Sequence, residues 1–252
     1  MRKMLKPAIQ YDLREYLRPA GVFFGVIVLV LVFFAVQIMA VDGNESARFT
    51  GMGIASGIFL FVLGVADIRE KLRLMNQFGL SRSTAYGALV VSLAILAVGL
   101  SAAMEAASAL FQLGFGGNSL RAGDLYQMIY LGGADTYQTM TLSQHLVSVL
   151  FSACLILSLA ILGQFFSLLF WRLSKRWIVA VAVGIPILCN LVPWTVFRIS
   201  AIQPGLTRAA AALFHFWGAS PWNFILTCLI LTAVGVAVNW LLLRRAVIRA
   251  PR

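Results

Sequence analysis

The sequence predicts an all-α polytopic membrane protein with six transmembrane helices. Hydrophobic residues fill 61% of its 252 positions and charged residues only 12%, whereas a soluble domain is about one-quarter charged. A soluble core could not absorb that much apolar surface, so lipid must cover much of it. Six segments have the composition of a span, which needs about 20 mostly apolar residues. When these segments are threaded in alternation, 16 of the 20 Lys and Arg residues fall on one side. That side is then expected to be cytoplasmic, with both termini on it. The formal net charge of +11 is a topology signal rather than a nucleic-acid footprint, because the basic residues sit in short clusters between apolar runs.

The chain opens with an arm, residues 1–18, that reads as an amphipathic interfacial helix. Leu5, Ile9, Leu13 and Leu17 recur every fourth residue, joined by Ala8 and Tyr16. Lys3, Lys6, Gln10, Asp12, Arg14 and Glu15 fill the other face. Such a helix serves either as a topology anchor or as a mechanical element beside a partner. No small-residue cleavage site follows a short apolar core, so the first span is expected to stay in the mature protein.

The spans follow at residues 20–41, 49–66, 85–110, 142–171, 177–197 and 224–243, within a single membrane domain over 20–243. Pro186, Asn190 and Pro193 would weaken or bend the fifth. The basic clusters are Arg2, Lys3, Lys6, Arg14 and Arg18 in the arm, Arg69, Lys71, Arg73 and Arg82 after the second span, Arg172, Lys175 and Arg176 after the fourth, and Arg244, Arg245, Arg249 and Arg252 in the 244–252 tail. On the outer side, residues 110–141 are glycine-rich and read as a loop with one short helix. Residues 198–223 carry the apolar run 209–217, too short to span and expected to form a re-entrant or interfacial helix. Cys154, Cys189 and Cys228 all lie in apolar segments and read as small hydrophobes, without a disulfide or metal pattern.

Enzyme motifs are missing. The sequence has no GxxxxGK[ST] phosphate loop, no HExxH and no GxSxG. His145 and His215 stand apart in sequence and read as hydrogen-bonded residues near the outer interface. Glu105 falls near the outer end of the third span. A carboxylate there is costly and either faces a cavity or partner or snorkels outward. One such acid is fewer than a proton-coupled transporter usually shows.

The informative stretch is the loop after the second span. Ile68, Leu72, Met75 and Phe78 share one helical face, flanked by Asp67, Arg69 and Glu70. Gly79 stands where a helix C-cap is expected, and Ser81 or Ser83 can cap the next helix. A short helix with an apolar stripe and charged flanks is shaped to dock into a groove.

Here the sequence resembles the permease subunits of ABC-2 type exporters. The Arg69-Glu70 pair and the Gly79-Leu80-Ser81-Arg82 turn match that family's element between its second and third spans, although the expected proline and a customary glycine are absent. Gly163 to Ser167 and the basic end of the fourth span also look like the family. The resemblance implies a coupling helix, residues 67–78, seated in an ABC ATPase, with Asp67, Ile68, Arg69, Glu70, Leu72, Met75, Phe78 and Arg82 as contacts. It implies two ATPase copies and a second permease, as homodimer or heterodimer, in the bilayer of a cell inner or plasma membrane. No cofactor is expected in this chain, ATP and Mg²⁺ belonging to the ATPase, and no nucleic acid. The alternatives are a permease of another transporter class and a non-transport membrane protein.

The spans are nearly free of charge, which favours an amphipathic or apolar cargo such as a peptide, lipid or drug over an ionic one. Met104, Phe165 and Phe166, with Glu105, are candidate pathway or interface residues, unless they face lipid. Gly87, Ala88, Ser92, Ser101 and Ala102 suit close helix packing and are candidates for a dimer seam.

Overall fold

The computed structural model describes residues 5–40, 47–115, 120–131, 140–172 and 212–244. In order these are helix α1 (Leu5–Ala40), strand β1 (Ala47–Thr50), α2 (Met52–Gln77), α3 (Arg82–Phe115), β2 (Leu120–Gly123), α4 (Leu125–Tyr130) and α5 (Leu142–Arg172). A short helix, α6, follows over residues 212–219, and α7 (Pro221–Arg244) closes the series. Among the described residues, α1, α2, α3, α5 and α7 are long and apolar enough to cross a membrane. They correspond to the first four expected spans and the sixth. The fifth, residues 177–197 with Cys189, and the tail beyond Arg244 lie outside the described residues. One end of the bundle carries the α2–α3 turn and the other the strand pair.

One expectation is corrected. The arm is not a separate interfacial helix but the first turns of α1. At 36 residues, α1 is about 54 Å long at 1.5 Å per residue, well beyond the roughly 30 Å of hydrocarbon. Pro19 lies inside it, and a proline removes one backbone hydrogen bond without a cap to end the helix there. The chain is an α-helical bundle, as expected, and to it the described residues add one short parallel strand pair. Ala47 pairs with Leu120 and Thr50 with Gly123. A parallel pair needs a long crossover, and here the antiparallel α2–α3 hairpin supplies it. The 110–141 segment therefore holds a strand and the expected short helix, with α3 extended to Phe115.

The tightest packing is between α2 and α5. A Cβ on Gly64 would lie 2.4 Å from the Ala160 carbonyl oxygen, and one on Gly163 would lie 2.2 Å from that of Phe61. The two backbones touch, which only glycine allows. On α5 the buried face reads Ser148, Ser152, Ile156, Ala160, Gly163 and Ser167, mostly small residues at helical spacing. Such faces suit helix association in lipid, where close packing replaces the hydrophobic drive. Around this seam, Leu31 and Ala35 of α1, Leu60 of α2, Leu93, Ala97 and Leu100 of α3 and Ile156 of α5 form the largest core cluster.

The strand end is tied by Asp124. Its carboxylate caps α4 by accepting from Leu125 N at 2.8 Å, accepts from Gly53 N in the first turn of α2 at 3.1 Å, and accepts from Ser152 Oγ of α5. One carboxylate thus meets the orphan donors of two helix starts, where the helix dipole also favours negative charge. A Cβ at Gly53 would sit 2.7 Å from Asp124 Oδ1, so glycine is needed for the approach. Ser220 precedes α7, and Pro221 opens it, the favoured order for a helix start.

Replacing Gly163 by Ala should destabilise the fold by about 1–3 kcal/mol through overpacking. Gly99→Ala, where an added Cβ meets nothing within 4 Å, should be neutral or stabilising. Unfolding of the detergent-solubilised protein by SDS titration compares them, and equal stability of the two variants would refute the backbone contact.

Candidate functional site

At the turn end, the local sequence fixes a sharp reversal. Gly79 adopts a left-handed φ of +73°, which a Cβ would disfavour. Leu80 N donates to Met75 O at 3.0 Å, the 6→1 bond of a Schellman motif, and Leu80 packs in the same cluster as Met75. Ser81 then caps α3, its Oγ accepting from Thr84 N at 3.3 Å and lying 2.8 Å from Thr84 Oγ1. The glycine stop and the serine start expected from sequence are both in place.

The apolar stripe beside this turn has a different destination from the one expected. Residues 67–77 are the last turns of the continuous helix α2, not a free-standing helix. Ile68, Leu72 and Met75 are buried against Ala85, Tyr86, Ala88 and Leu89 of α3, Leu168 of α5 and Leu243 of α7. They pack into the chain's own core, because the turn brings the start of α3 back within reach. Among the described side chains here, Glu70, Gln77, Phe78 and Arg82 are exposed to solvent, with Asp67 half-buried. Phe78 is 70% exposed and lies beyond the apolar stretch Met52–Leu72 that is long enough to span a membrane. The side chain of Arg69 lies outside the described residues.

Lys71 is the second finding that the periodicity did not give. A strict four-residue repeat drifts by about 40° per step around a helix of 3.6 residues per turn. The arm's buried face therefore takes in Asp12 and Tyr16 and leaves Leu17 exposed. Asp12 is fully buried and Lys71 nearly so. Lys71 Nζ stands 3.4 Å from Asp12 Oδ1, 3.5 Å from Glu15 Oε2 and 3.1 Å from Asp67 Oδ2. It also lies 3.4 Å from the centroid of the Tyr16 ring, within cation–π range. Three carboxylates from two helices thus share one ammonium. Asp12 has no aligned hydrogen-bond donor among the described residues, so its burial rests on the charge of Lys71. Leu5, Ala8 and Ile9 extend the contact by packing against the Ile68–Leu72–Met75 cluster.

Beside this clamp lies an apolar notch of about 360 Å³, with Pro7, Ala8 and Tyr11 of the arm on one wall and Leu74, Phe78 and Leu80 on the other. The exposed rings of Tyr11 and Phe78 flank it.

The remaining candidates separate. Glu105 neither snorkels nor stands free. It is buried between α3 and α5, with Oε1 2.7 Å from His145 Nδ1 and Oε2 accepting from Ser148 Oγ at 2.8 Å. His145 is therefore the partner of a buried acid, and the two form a charged pair when the imidazole is protonated. Ser101 Oγ donates to Val149 O at 2.8 Å on the same seam. Met104 is buried in the core. Phe166 packs edge-on to Phe61, and Phe165 lines a groove between α5 and α7. Ala88, Ser92 and Ser101, candidates for a dimer seam, are buried within the chain. Asp124 went unnoticed in the sequence, where its place just after a glycine and before a short apolar run was the available N-cap signal.

Comparison of the chain with family models, curated proteins and solved structures finds no match.

Lys71→Met should cost about 3–5 kcal/mol, since it strands a fully buried carboxylate. Asp12→Asn should cost less, because Lys71 keeps two acids. Lys71→Met combined with Asp12→Leu should recover most of the loss. A double-mutant cycle on detergent unfolding midpoints measures this, and strict additivity would show that the groups do not interact.

Proposed function

We propose that the chain is the transmembrane subunit of an ATP-driven exporter and that its turn end is the cytoplasmic face on which a separate ATPase acts. The observation that carries this reading is the Lys71 clamp beside an exposed Phe78. The clamp fastens the N-terminal arm to the end of α2, so that a force on the turn moves both. Phe78, Glu70, Gln77 and Arg82 offer an apolar anchor with a polar rim, the usual makeup of a binding hot spot. The excess of basic residues at this end favours a cytoplasmic position in a cell membrane.

The mechanism follows from α2 being one rod. Its 26 residues reach about 39 Å, from Phe78 to the Asp124 cap at the far end. Displacement of the turn by closing ATPases would be carried by α2 against α5 along the glycine seam, and to α3 through the Gly79 reversal. The arm, held by Lys71, would follow. This chain carries no phosphate-loop sequence, so ATP and Mg²⁺ belong to the partner, two copies of which would serve a pair of permease subunits. The substrate class that suits these weakly charged spans is amphipathic or apolar.

Two variants test the coupling. Phe78→Asp and Glu70→Lys should each abolish export while leaving membrane insertion and basal ATPase activity of the partner intact. Affinity purification from membranes should bring down an ABC ATPase with the wild-type chain and far less with Phe78→Asp. Recovery of no ATPase with the wild-type chain would overturn the reading, as would undiminished export in both variants.

A further inference from the structure

One flank of α1 changes from apolar to basic along its length. At 3.6 residues per turn, Tyr11, Arg14, Arg18, Val22 and Leu29 fall within about 80° of one another around the helix. All five are exposed. They form a single strip, with valine and leucine at one end and two arginines and a tyrosine at the other.

The depth of this strip in a bilayer follows from the length of the uncharged stretch. Residues 19–40 of α1 carry no charge and extend about 33 Å at 1.5 Å per residue. That matches the roughly 30 Å of bilayer hydrocarbon, which is flanked on each side by about 5–8 Å of headgroups. Arg18 therefore stands at the hydrocarbon boundary. Arg14, one turn further out, stands about 6 Å beyond it, within the headgroup layer. Tyr11 follows, a residue type enriched at this depth.

The charge of the two arginines is not met within the chain. The neighbouring acids of the arm, Asp12 and Glu15, are drawn to Lys71, as is Asp67. Among the described residues neither Arg14 nor Arg18 takes part in an ion pair. Residues 1–4, 173–211 and 245–252 contain no Asp or Glu, so they cannot supply a counter-charge. At this depth the available anion is a lipid phosphate, which a guanidinium binds through two parallel hydrogen bonds. A zwitterionic lipid carries its own cation beside the phosphate, whereas an anionic lipid brings a net negative charge.

We infer that Arg14 and Arg18 form a binding site for the headgroup of an anionic phospholipid, in the leaflet at the turn end, in preference to zwitterionic lipid. The site requires only that α1 crosses a bilayer and is independent of the ATPase reading.

The test uses the full chain in vesicles of phosphatidylglycerol and phosphatidylcholine in equal amounts. Phosphatidylglycerol with a photoreactive diazirine on its headgroup should label residues 10–18 of the unaltered protein. Phosphatidylcholine carrying the same group should label them far less. Native mass spectrometry after mild detergent extraction should find phosphatidylglycerol retained in preference to phosphatidylcholine. Arg14→Gln combined with Arg18→Gln should lower that retention about ten-fold or more. Arg14→Lys with Arg18→Lys should keep most of it, because the charge remains. Arg244→Gln, an exposed position at the same end on α7, should change it by less than about two-fold. Equal labelling by the two lipids would overturn the inference, as would equal losses from Arg244→Gln and the double glutamine variant. So would release of the bound lipid by inorganic phosphate, which would mark a site for free anions, or cross-linking of residues 10–18 to a protein in place of lipid.

Discussion

The contact between α2 and α5 sets the positions of the other elements. Between two helices in lipid there is little hydrophobic drive, so association depends on close approach. Gly64 and Gly163 provide it by letting each backbone touch the other's carbonyl oxygen. Once α2 is seated there, its two ends become fixed points. The strand end is held by Asp124, which reaches α2, α4 and α5 together. The turn end is held by Lys71, which draws in the arm of α1. The helix α3, returned by the Gly79 reversal, fills the remaining side.

Buried charge follows one rule throughout the described residues. Each enclosed carboxylate has a partner on a different helix or segment: Asp12 with Lys71, Glu105 with His145 and Ser148, Asp124 with Gly53 N and Ser152. A buried ion pair adds little net stability over an apolar pair of the same shape, but losing one member is costly. These groups therefore specify which helices meet more than they strengthen the bundle. Glu105 joins α3 to α5 at one level, and Lys71 joins α1 to α2 at another.

This arrangement alters how the proposed coupling works. An independent docking helix would present its whole apolar stripe to an ATPase. Here Ile68, Leu72 and Met75 are committed to the chain's own core, and Phe78 with its polar neighbours is left for contact. A push on so small a surface can still move a large body, because α2 is unbroken and tied at both ends.

The sequence by itself determined the apolar spans, the sharp turn and the caps around it. Those depend on composition and on spacings within a few residues, as with Gly79 closing one helix and Ser81 opening the next. It also marked Glu105 as an acid that must be accommodated. It did not decide where the stripes would turn. Whether Ile68, Leu72 and Met75 face a partner or α3 depends on how a distant segment returns, and helical periodicity gives a face without its neighbour. For the same reason Asp12 read as a solvent-facing residue until Lys71, fifty-nine positions later, supplied its counter-charge. The β1–β2 ladder and the glycine seam likewise join segments far apart in the chain. Pairings of that kind, in which a residue's cost or benefit depends on what the fold places opposite it, were decided by the tertiary structure alone.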